Sequence, residues 1–88
     1  MKNYNGHRSW NAWNVSLWIN NDESLYNLAV EKVEKAKKRY NHTDISIERQ
    51  ANCAARWFFN AIGGNGAKTP DGAKYNVLSI KNAIIDIF

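Results

Sequence analysis

The sequence predicts an all-α fold, a compact bundle of about four helices with one glycine-rich loop. Three observations predict it. A 3.6-residue apolar stripe runs through Leu25, Leu28, Ala29, Val33, Ala36 and Tyr40 over four turns, opposite a charged face. Four of the five glycines and the one proline gather between residues 63 and 74. Any strand formed by the isoleucine-rich C-terminal segment would lack a partner elsewhere in the chain.

The elements follow in order. Residues 1–8 read as an N-terminal arm, with Tyr4 as a possible anchor and Gly6 as a turn. Ser9 is a good N-cap for a first helix. In that helix Trp10, Trp13, Leu17 and Trp18 mark an apolar face with Asn14 among them, and turning the tryptophans inward would bury a large area. Asn20-Asn21-Asp22-Glu23 breaks and restarts the helix, with Asn20, Asn21 or Asp22 as cap. The Leu25–Tyr40 stripe is the second helix. Thr43, Asp44 or Ser46 caps the third, whose stripe is Ile47, Ala51, Ala54, Phe58, Ala61 and Ile62, flanked by Trp57 and Phe59. Gly63-Gly64 ends it. The loop 63–74 contains the turn signal Pro70-Asp71-Gly72. A fourth helix then begins at Asn76 and carries Val77, Ile80, Ile84 and Ile87. Short connections between these helices suggest one helical domain over residues 1–88.

Composition bounds the function. A chain of 88 residues has room for one domain, and a deep enclosed active site would consume core it needs. One cysteine, Cys53, excludes an internal disulfide and reads as a small buried thiol. No Cys/His cluster has zinc spacing, so no metal is expected. No apolar run reaches the length of a membrane span, and the polar start argues against a signal peptide; the expected location is the cytoplasm. Thirteen asparagines suit cap and turn positions.

Catalytic signals are weak, and no enzyme activity or cofactor is expected. His7 and His42 stand far apart with no nucleophile signposted beside either, and read as surface or cap residues. Asp22-Glu23 reads as helix-start carboxylates satisfying backbone N–H groups. Gly63-Gly64-Asn65-Gly66-Ala67-Lys68-Thr69 fails as a phosphate-binding loop, because Ala67 precedes Lys68, Pro70 follows, and a helix comes before it.

Binding signals are stronger. The net charge of +4 is a mild basic bias. Lys32, Lys35 and Arg39 fall near one face of the second helix, extended by Lys38 and His42, where phosphates could be met. The bland alternative is a solvated face with Glu31–Lys35 and Glu34–Lys38 ion pairs. Four tryptophans are more than a small core readily hides, and tryptophan is favoured at binding hot spots. Trp13 and Trp57 lie off the centres of their stripes. The expected partner-binding residues are therefore Lys35, Lys38, Arg39, Trp13 and Trp57.

The run from Trp13 to Tyr26, Trp-Asn-Val-Ser-Leu-Trp-Ile-Asn-Asn-Asp-Glu-Ser-Leu-Tyr, resembles a signature of small proteins from bacteriophages and other mobile elements. It covers about a sixth of the chain. Ala12 stands where those proteins usually have threonine or a similar residue. The resemblance implies an accessory protein that acts on host machinery by stoichiometric binding, such as an inhibitor of a CRISPR or restriction complex. DNA mimicry does not suit a basic chain. The leading expectation is an anti-CRISPR-like inhibitor whose partner is a host protein complex. The alternatives are a basic nucleic-acid-binding module and a self-associating accessory protein that forms a homodimer.

Overall fold

The computed structural model describes residues 9–88. The arm over residues 1–8, including Tyr4, Gly6 and His7, lies outside the described residues. The rest is an all-α bundle: α1 (Trp10–Asn21), α2 (Glu23–Arg39), α3 (Ile47–Ala61) and α4 (Val77–Ile84), the last followed by a 3-10 turn over Ile85–Ile87. The C-terminal segment is helical.

Each helix starts on a side-chain cap that accepts an otherwise orphan N–H. Ser9 Oγ accepts from Ala12 N at 3.1 Å and Asp22 Oδ1 from Leu25 N at 3.0 Å. Ser46 Oγ accepts from Arg49 N at 3.2 Å and Asn76 Oδ1 from Ser79 N at 2.8 Å. Asp22 does two jobs, since its own N–H bonds Trp18 O and ends α1. α1 and α2 therefore meet at one residue. α3 ends with Gly63 N bonded to Asn60 O and Gly64 N to Phe59 O, the paired pattern of a Schellman motif. Both glycines have positive φ, which residues with a Cβ rarely adopt.

α2 and α4 each pack against both α1 and α3, so α1 and α3 stand at opposite corners. Phe58, Val15, Ile19, Val33, Ile80 and Ile84 form the centre of the core, together with many alanines. Full burial of a side chain of this kind contributes about 1.5–3 kcal/mol.

The inward face of α1 differs from the expected one. Ala12, Val15 and Ile19 are buried, while Trp13, Leu17 and Trp18 are half-buried and Trp10 is 41% exposed. Small side chains on the neighbouring helices favour this choice. The neighbouring helices present Ala29, Ala36 and Ala83, and small residues let axes approach closely. A tryptophan face would hold them apart. Two ends of the α3 stripe also fall outside the core: Ile47 is 51% exposed and Ala61 is exposed.

The loop 63–74 is folded onto α1. Gly72 N bonds Thr69 O at 2.9 Å and closes the turn through Pro70 and Asp71. Thr69 N bonds Ala73 O, and Lys68 and Lys74 form an isolated antiparallel bridge. Thr69, Ala73 and Tyr75 are buried. Among the described residues, no helix is long and apolar enough to cross a membrane.

Candidate functional site

The expected site residues fall into two places. On α2, at 100° per residue, Lys38, Lys35 and Arg39 fan across about a quarter of the helix circumference. All three are exposed. Lys35 Nζ lies 4.5 Å from the centroid of the Trp57 ring on α3, within cation–π range. Two residues 22 positions apart are thus brought together on the α2–α3 flank. Arg39 lies along the neighbouring Tyr40 ring, 5.8 Å from its centroid. Trp13 is on α1, at the opposite corner from α3, and does not join this group.

The expected i,i+4 ion pairs are not the ones that form. Glu31 pairs with Lys32 at 3.0 Å and Glu34 approaches Lys37 at 3.9 Å. Exposed pairs of this kind are worth little, because solvent screens them and ordering long side chains costs entropy. The physical reason for the exchange on Lys35 is the Trp57 face, which offers a fixed partner across the helix seam.

A second surface was not anticipated. The outward side of α3 places Arg49, Cys53 and Arg56 at i, i+4 and i+7, hence on one side of the helix. They line an open groove of about 600 Å³ with Tyr40 at the end of α2 and Lys81 on α4. Cys53 is half-buried and not enclosed in the core, because it sits beyond the edge of the Ala51–Ala54–Phe58 stripe. Tyr40 donates its hydroxyl hydrogen to Cys53 Sγ at 3.6 Å. Lys81 Nζ is held by Glu48 at 3.1 Å. The spacing of Arg49 and Arg56 was visible in the sequence, but nothing there separates it from an ordinary solvated face.

The third polar arrangement joins the loop to α1. Asp71 Oδ2 accepts from Asn14 Nδ2 and from Trp18 Nε1, each at 2.9 Å. These two donors, Asn14 first, hold the Asp71 carboxyl below the usual carboxylate range, because they stabilise its ionised form. Asn14 is buried, and its Oδ1 accepts from Thr69 Oγ1 at 2.6 Å. Asn11 makes a reciprocal pair with the Lys74 backbone, donating to its O and accepting from its N, both at 2.8 Å. Trp18, half-buried, therefore anchors the loop through its indole nitrogen. His42 is exposed, with φ of 68°, and its Nε2 lies 3.2 Å from the Asn41 amide. Among the described residues, no group of three or more His, Cys, Asp or Glu side chains is placed to hold a metal ion.

Comparison with curated proteins gives no match. Comparison with solved structures also gives none. One family profile, that of a family of unknown function (DUF7249), matches residues 1–88.

Proposed function

We propose that this chain, which belongs to that family of unknown function, is a non-enzymatic binding protein of phage or mobile-element origin. It inhibits a host defence complex in the cytoplasm, in the manner of an anti-CRISPR protein, by occupying a protein surface. The interface is the α2–α3 flank, centred on Lys35 and Trp57 with Lys38 and Arg39 at its edge. Trp13 lies apart from this interface.

The observation that carries this reading is the Lys35–Trp57 contact at 4.5 Å. It presents an aromatic ring and a cation as one prearranged platform. Binding energy concentrates in residues such as tryptophan, and positioning its neighbours before association lowers the entropy lost on binding. The resemblance over Trp13–Tyr26 supports a phage origin and a host-defence target.

The test is capture of a partner from a bacterial host lysate with tagged protein, with and without nuclease. A stoichiometric protein partner that survives nuclease and is lost with Lys35→Glu/Trp57→Ala supports the reading. Capture that disappears on nuclease treatment, or that the double variant retains, refutes it.

A further inference from the structure

The α3 groove points to a ligand of its own, separate from the Lys35–Trp57 surface. Arg49 and Arg56 are exposed on one side of the helix. Among the described residues, neither guanidinium has an ion pair or a side-chain hydrogen bond, whereas Lys81 across the groove is taken by Glu48. Both arginines thus keep their planar fork of five donors for an incoming group. They stand seven residues apart, about 10 Å along the helix axis. That separation suits successive charges on a polyanion better than one small anion.

The walls between them fit the same ligand. Asn52 adds an uncharged amide next to Cys53, and amides and guanidiniums are the usual donors to backbone phosphates. Tyr40 lines the groove, with its hydroxyl tied to Cys53 Sγ and Arg39 lying along its ring. A tyrosine held in place offers an unpaired base a stacking surface, which the stacked interior of a duplex would not use. The net charge of +4 favours approach of a polyanion.

We infer that the groove formed by Arg49, Asn52, Arg56 and Tyr40 binds single-stranded nucleic acid, the arginines on its phosphates and the tyrosine against a base. The groove meets the protein-binding surface only where Arg39 lies along the Tyr40 ring. Arg49 and Arg56 are not part of that surface, so either reading can fail while the other stands.

Fluorescence anisotropy with a short labelled oligothymidylate, over a salt series, tests it. Two phosphate contacts on a single strand give a log–log salt slope of about −1.4. Arg49→Glu/Arg56→Glu weakens binding more than about tenfold, since two charge-assisted contacts are lost. It also flattens the slope. Lys68→Glu, a charge reversal on the 63–74 loop, changes affinity by less than about threefold, because only long-range attraction is reduced. Circular dichroism is expected to show that the double variant, at two exposed positions, remains helical. Absent or salt-independent binding by the unmodified chain overturns the inference, as does a double variant that binds as well as the parent. Equal arginine-dependent binding of labelled polyglutamate assigns the groove to acidic polypeptides and overturns it too.

Discussion

Asn14, buried in α1, donates its side-chain amide to the Asp71 carboxylate at the tip of the glycine-rich loop, 57 residues later, at 2.9 Å. The other end of the same amide accepts from the Thr69 hydroxyl, and that hydroxyl in turn accepts from Ala73 N at 3.0 Å. One asparagine thus satisfies three polar groups of the loop, directly or through Thr69. No buried side-chain nitrogen or oxygen among the described residues is left without a partner.

Replacing Asn14 with alanine leaves the buried Thr69 hydroxyl without its acceptor. An unmade buried hydrogen bond costs about 1–3 kcal/mol. Urea unfolding of Asn14→Ala is expected to show a loss of that size, with little change in the slope of the transition. An unchanged midpoint would show that the amide carries no stability.

The pH dependence of the same latch has a defined sign. The folded-state pKa of Asp71 is lowered from its ordinary value of 3.8 by the Asn14 and Trp18 hydrogen bonds. The stabilisation it contributes is therefore fully present above pH 3.8 and is lost as pH falls through the lower, folded-state value. The Trp18 indole N–H resonance, followed by NMR, should titrate with a midpoint below 3.8. A midpoint at or above that value contradicts the arrangement.

Phe58 is the largest fully buried side chain. Removing a buried phenylalanine ring costs about 3–5 kcal/mol. Small domains hold only about 5–15 kcal/mol in total. Phe58→Ala is expected to be partly or wholly unfolded at room temperature by circular dichroism, while Phe58→Leu stays folded with a lowered Tm. A Phe58→Ala protein as stable as the parent would mean that the core lies elsewhere.

The Lys35–Trp57 contact also has a stability signature. A double-mutant cycle with Lys35→Gln and Trp57→Leu should give a coupling of about 0.5–1 kcal/mol, the range for exposed cation–π pairs. Because the ring attracts the charge directly, the coupling should persist in high salt better than that of the Glu34–Lys37 pair, whose N–O distance is 3.9 Å. A cycle that closes to zero removes the premise of a preordered platform.

The caps show how far local chemistry reaches. Ser9 and Asn76 are legible as caps because a short polar side chain precedes an apolar periodic run, and the N–H groups they satisfy lie three residues away. Gly63 and Gly64 are legible for the same reason, since the helix end needs positive φ within that span. At the second and third helices several polar residues compete, and the structure selects Asp22 and Ser46. The Lys35–Trp57 contact could not be read along the chain, although both residues stood out by type, because it needs the α2–α3 pairing.

Patterning along the chain therefore accounts for the helix count, most boundaries, the core stripe of α2 and the centre of that of α3. It does not decide which side of α1 is buried. Trp10, Trp13 and Trp18 are the largest apolar residues of α1, yet Ala12, Val15 and Ile19 go inside. Periodicity and capping act within a few residues and are fixed by backbone geometry. Which face is buried, which amide becomes a latch and which arginines stay unpaired depend on how closely neighbouring helices approach, and that distance exists only once the bundle has closed.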